Sequence, residues 1–162
     1  MEAALRHFLE GHFGAAEAAR IEARWRAGFG LAEGEAPVPG PRHEEYADLL
    51  GLLLEHADRD DAQRRAVARW IAFTCVGLNH LWEDLGLPDR PSLTVLMGEC
   101  FPGLRERNSG NMRWKKFFYR QLCERSGVSA CRSPSCDRCS EYDLCFEPRG
   151  PASGFPIEVR CG

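Results

Sequence analysis

The sequence predicts an all-α protein, a bundle of about five helices followed by a cysteine-rich metal-binding loop. Three observations lead to this reading. Apolar residues recur at three- and four-residue steps through most of the first 125 positions, the spacing of helices with one buried face. No convincing strand can be read. Beyond Gly127 the pattern collapses, and four of the chain's eight cysteines crowd into "CRSPSCDRCSEYDLC", Cys131 to Cys145. A chain of 162 residues is ordinarily one domain, able to bury roughly two thirds of its unfolded surface. The expected organisation is a single domain over 1–162: an N-terminal helix at 1–27, a Gly/Pro linker at 28–42, a helical body at 43–126 and the cysteine loop at 131–145.

Residues 1–27 are rich in Ala, Glu and Arg, with Leu5, Phe8, Leu9 and Phe13 near one face. Gly11 and Gly14 weaken that helix. The linker opens with "GFGLAEGEAPVPGP", four Gly and three Pro in fourteen residues. Its G-x-G is not a dinucleotide fingerprint, because Glu33 stands where the third glycine belongs and no strand precedes it. "HEEYADLLGLLLEHA" (43–57) puts Tyr46, Leu49, Leu50, Leu53 and Leu54 on one side of a second helix. In the third, Asp60 or Asp61 serves as the cap. Its stripe runs Val67, Trp70, Ile71, Thr74, Leu78, Leu81 and Leu85, until Gly86 and Pro88 stop it. Pro91 opens a shorter helix with Leu93, Leu96 and Met97, which "FPG" at 101–103 ends. The last helix, "NMRWKKFFYRQLCER" (111–125), carries an apolar stripe of Trp114, Phe117, Phe118 and Leu122. Arg113, Lys116 and Arg120 fall on another side.

Composition narrows the function. Hydrophobic content of 44% and a net charge of −3 announce neither a nucleic-acid nor a membrane partner. The first twenty residues lack the basic start and apolar middle of a secretory signal. The longest near-apolar run, "LLGLLL" at 49–54, is far short of the roughly 20 residues a membrane span needs. The expected compartment is therefore the cytoplasm, where thiols stay reduced and clustered cysteines serve metal or redox chemistry.

The four cysteines are spaced C-x4-C-x2-C-x5-C. Between them only Tyr142 and Leu144 are large and apolar, so the segment needs a source of order other than burial, and a metal supplies one. Thiolates suit zinc, copper(I) and iron–sulfur clusters. Structural zinc sites usually bring paired ligands from two knuckles. One C-x2-C flanked by single cysteines suits an iron–sulfur cluster somewhat better. Zinc, and less so a thiol-redox or disulfide role, stay open on spacing alone. Cys75 and Cys100 read as small buried residues. Cys123 and Cys161 are near enough in sequence to supply or replace a ligand.

From Arg105 to Arg132 eight Lys/Arg face two acids, a net of +6 that leaves −9 for the rest. The plain reading is a solvated helix face. The sharper one is attraction of an anion, either a thiolate-ligated cluster or an oxyanion metal precursor. Nucleic-acid binding is weaker, because the aromatics lie on the core-facing stripe. No G-x-S-x-G, P-loop or H-E-x-x-H occurs, so no ordinary catalytic site is evident. Of the five histidines His80 is the one to track as an auxiliary ligand.

From "RWKKFFYRQLCERSG" through "CRSPSCDRCSEYDLC" the chain resembles the NifQ family of nitrogen-fixation accessory proteins, whose signature is this cysteine spacing. "HLWEDLGLPDR" (80–90) and "FPGLRERNSGNM" (101–112) are family-like too, so the resemblance covers roughly residues 78–147. It implies a carrier rather than an enzyme: an iron–sulfur protein that holds a molybdenum–iron–sulfur cluster. Such a protein donates molybdenum for the iron–molybdenum cofactor of nitrogenase, delivering to the NifEN scaffold and the NifH iron protein. Carried onto this chain, Cys131, Cys136, Cys139 and Cys145 are the cluster ligands; Cys123 and His80 remain auxiliary candidates from residue type and position alone. Arg113, Lys115, Lys116 and Arg120 match the family block. Their attraction of molybdate or docking of an acidic partner is a hypothesis added to the resemblance, not supplied by it.

Overall fold

The computed structural model describes residues 2–32, 40, 42–127 and 145. These residues form α1 (Ala3–Phe13), α2 (Ala15–Phe29), α3 (His43–Glu55), α4 (Ala62–Thr74), α5 (Leu81–Asp84), α6 (Arg90–Cys100), α7 (Pro102–Arg107) and α8 (Trp114–Arg125), with no strand among them. The all-α expectation holds. The count of about five helices is corrected to eight among the described residues, and each extra helix has a local cause. The chain divides into two compact units, Met1–Arg105 and Glu106–Gly162.

In the first unit the single N-terminal helix expected over 1–27 is two. Gly14 adopts φ +80°, a backbone that glycine reaches without penalty, and its N–H closes α1 on the Glu10 carbonyl at 3.0 Å. The chain then folds α2 back against α1. Leu5, Phe8 and Leu9 of α1 and Ala18, Ile21 and Trp25 of α2 are buried. α1 also packs on α4, and α4 on α3. In α3 the buried stripe is Leu49, Leu52 and Leu53, with Leu50 half-buried and Leu54 exposed.

Asp61 caps α4, its carboxylate accepting the Arg64 N–H at 2.8 Å. Val67, Trp70, Ile71 and Thr74 are buried as the spacing predicts. The helix nevertheless stops at Thr74 rather than running to Leu85. Asp84, buried at the end of α5, accepts both the backbone N–H (3.2 Å) and the side-chain amide (3.0 Å) of Asn79. The Gly77 N–H bonds back to the Thr74 carbonyl at 3.0 Å. These local polar bonds bend residues 75–80 away from the helix, and Leu78 ends up 99% exposed. Leu81 and Leu85 return to the core.

Polar contacts tie these helices together. The Trp25 indole N–H donates to the Thr74 hydroxyl at 3.0 Å, which donates to the Trp70 carbonyl at 2.7 Å, all buried. Arg64, 1% exposed, donates to Asp58 at 2.6 Å and lies over the Phe8 ring at 5.2 Å. Gly86, φ +74°, passes so close to α2 that a Cβ would stand 2.6 Å from the Ile21 carbonyl. Arg24 donates to the Gly86 carbonyl at 2.6 Å.

α6 is capped by Asp89, which accepts the Ser92 N–H at 2.8 Å. Leu93, Leu96, Met97 and Cys100 are buried on its inner face. "FPG" ends α6 as expected, with Phe101 as its C-cap residue, but a further helix follows at once. Pro102 opens α7, because a residue with no N–H and a fixed φ suits the first helical position.

The second unit is built on α8. It begins at Trp114 rather than at 111, because Asn111 is in the left-handed region with φ +55°. Trp114, Phe117 and Phe118 are buried and in mutual ring contact at 5.7–6.1 Å. Leu122 is half-buried, while Gln121 is buried beside the aromatic stripe.

Candidate metal centre

The start of α8 is held by side-chain and backbone hydrogen bonds. Asn108, 3% exposed, grips Met112 from both sides: its Oδ1 accepts the Met112 N–H at 2.8 Å and its Nδ2 donates to the Met112 carbonyl at 2.9 Å. Asn111 N–H bonds to the Asn108 carbonyl at 3.1 Å, closing the turn. Arg113 follows as the N-cap residue of α8, φ −56° and ψ 128°. Its carbonyl accepts the Phe117 N–H, and its own N–H donates to the carbonyl of Cys145 at 2.8 Å.

Cys145 is thus the one cluster cysteine among the described residues, half-buried, with its backbone at the N-terminal end of α8. Cys131, Cys136, Cys139 and Cys161 lie outside the described residues. Among the described residues no three His, Cys, Asp or Glu side chains converge as a metal site.

The basic residues of α8 divide by environment. Lys116 is exposed, whereas Arg113, Lys115 and Arg120 are half-buried. Arg120 donates to Glu124 at 2.8 Å, and the same carboxylate accepts from Gln121 at 2.8 Å. Gln121 in turn accepts from Arg107 at 3.4 Å. The first turn of α8 contains Lys115 and Lys116 and no acid. That ordering opposes the helix dipole, which favours anions at this end.

The remaining candidates separate. His80 is exposed at the head of α5 in the first unit, its backbone N–H bonded to Glu83 at 3.0 Å. Cys123 is a half-buried free thiol on α8. Cys75 and Cys100 are buried, as their apolar surroundings predict. Burial pushes the Cys100 thiol up to about 12, against the opposing pull of Arg64, so at neutral pH it stays protonated.

Asn108 is the positioning residue that sequence reasoning missed. Its one signal is a polar side chain four residues before an apolar Met112 in the family-like "NSGNM". No helix among the described residues is long and apolar enough to cross a membrane.

No solved structure matches the chain. It is similar to Protein NifQ of Azotobacter vinelandii, 50% identical over 105 residues that cover 65% of this chain and 54% of that protein. The NifQ homolog of Sinorhizobium fredii is 44% identical over 129 residues, 80% of this chain and 55% of the homolog. Protein NifQ of Rhodobacter capsulatus is 41% identical over 133 residues, covering 82% and 73% respectively. The matches to the first two span about half the length of those relatives. The sequence model of the NifQ family matches residues 2–147, a range that takes in every described helix, the Arg113–Cys145 bond and all four spaced cysteines. The chain belongs to the NifQ family.

Proposed function

We propose that this protein is a molybdenum carrier. Within nitrogen fixation, the process its family serves, it would hold a molybdenum–iron–sulfur cluster on Cys131, Cys136, Cys139 and Cys145 and donate molybdenum for the iron–molybdenum cofactor of nitrogenase. The observation that carries the reading is the C-x4-C-x2-C-x5-C set, complete and inside the range matched by the family. The cluster is cargo, not a catalytic centre, and the protein is a metallochaperone rather than an enzyme. It works in the cytoplasm with molybdate or another molybdenum source, the NifEN scaffold and the NifH iron protein.

Two features support an anionic cargo. Soft thiolates suit iron–sulfur chemistry, and a four-thiolate cluster is negative. Two lysines with no acid in the first turn of α8 are unfavourable for an isolated helix and become favourable beside an anion. Arg113, Lys115 and Lys116 therefore serve as the attracting or docking face, while the charge of Arg120 is engaged by Glu124.

The test is metal content and visible absorption of protein purified without oxygen from cells supplied with molybdate. Roughly three or four irons per chain, molybdenum and a brown colour are expected. One zinc per chain and no colour, even after attempted iron–sulfur reconstitution, would overturn the proposal in favour of a structural zinc module. Cys136→Ala is expected to lose cluster retention and molybdenum delivery. Full delivery by that variant would remove Cys136 from the ligand set.

A further inference from the structure

We infer that the backbone amide of Arg113 is a positioning group for the cargo site, pinning the ligand Cys145 to the start of α8 whether or not a cluster is bound. The inference rests on the carrier reading above, and its geometry stands on described residues alone. The Arg113 N–H donates to the Cys145 carbonyl at 2.8 Å. Arg113 is itself held in place, because the buried Asn108 fixes both polar backbone groups of Met112, the residue before it. Three successive constraints, Asn108 on Met112, Met112 on Arg113 and Arg113 on Cys145, run from a buried side chain to a ligand.

A donor that must be emptied and refilled keeps Cys145 in register between cycles through this bond.

The φ of Arg113 allows an unusually clean test. At −56° it already matches proline. Arg113→Pro deletes the N–H with little backbone strain, whereas Arg113→Ala deletes the side chain and keeps the N–H. The full chain and both variants are loaded without oxygen using ferrous iron and sulfide, and iron release to a ferrous chelator is timed. Far-UV circular dichroism checks that helix content is kept. Arg113→Pro is expected to release iron roughly two- to tenfold faster than Arg113→Ala, the range for losing one backbone hydrogen bond, because both lack the guanidinium and only Arg113→Ala keeps the N–H.

Equal rates for Arg113→Pro and Arg113→Ala would overturn the inference and assign any effect to the side chain. A wild-type chain that takes up no iron would overturn the carrier reading instead. The pin is then decided on metal-free wild type by exchange of the Arg113 amide proton, a measurement that also stands if Arg113→Pro does not fold. Slow exchange supports the pin, and exchange at the rate of a free peptide overturns it.

Discussion

Replacing Thr74 with valine isolates one buried hydrogen bond in the helical core. Valine keeps the shape of threonine and its place in α4, and removes only the hydroxyl. That hydroxyl accepts the Trp25 indole N–H at 3.0 Å, where Trp25 is 2% exposed and Thr74 fully buried. The Trp70 carbonyl, which also loses a donor, keeps its place in the helix ladder. The unsatisfied group is therefore the indole N–H, and stranding a buried donor costs about 1–3 kcal/mol. For a chain of this size, the same loss lowers Tm by about 3–10 °C. Urea unfolding followed by far-UV circular dichroism measures the change. The same substitution made in a Trp25→Phe background, where no indole N–H exists, should cost much less. A loss below about 0.5 kcal/mol in the wild-type background, or an equal loss in both backgrounds, would refute the reasoning.

Burial of Cys100 sets an alkaline limit. In the unfolded chain its thiol ionises near the ordinary 9, while in the fold it keeps its proton to about 12. Between those values the unfolded state releases a proton that the native state holds. Stability therefore falls as pH rises through the window, by up to ~1.4 kcal/mol per pH unit, and the contribution is complete below about pH 9. Cys100→Ala should flatten this part of the stability–pH curve, and identical slopes for the two proteins from pH 9 to 11 would dismiss the cause. On α8, Lys115→Glu with Lys116→Glu should slow molybdenum loading while helix content is kept, leaving Arg120 untouched because its charge is already engaged by Glu124. Unchanged loading kinetics from low to high salt would return these lysines to a merely solvated face.

Much of the fold was legible in spacing, and the departures are instructive. Val67, Trp70, Ile71 and Thr74 are buried as read, but the same spacing continues by coincidence to Leu78, which is fully out in solvent. The competing signal was present in "VGLNH", where a glycine and an asparagine favour a turn. Periodicity points to a continuous helix, yet the hydrogen bonds from Asn79 to the buried Asp84 decide the path. In α3 a run of leucines carries almost no phase information, so Leu52 rather than Leu54 completes the buried stripe. "FPG" marks the stop of α6, and the same Pro102 also starts α7, because proline's rigid φ suits a first helical turn. At the candidate site, the four cysteines announce themselves by residue type and spacing. The Arg113–Cys145 bond joins two backbones, and a backbone contact leaves no mark on the identity of either residue.

The burial of Arg64 has a consequence for how such a chain can change over generations. Arg64 is almost wholly enclosed, while the side chain of its partner Asp58 is 28% exposed. Loss of Asp58 first would leave a guanidinium enclosed without its counter-charge, whereas loss of Arg64 first leaves a carboxylate that water can reach. The two positions are therefore not free to vary independently or in either order. Lineages that exchange this pair for an apolar contact must pass through the loss of the arginine first, and chains that retain the arginine are constrained to retain the acid.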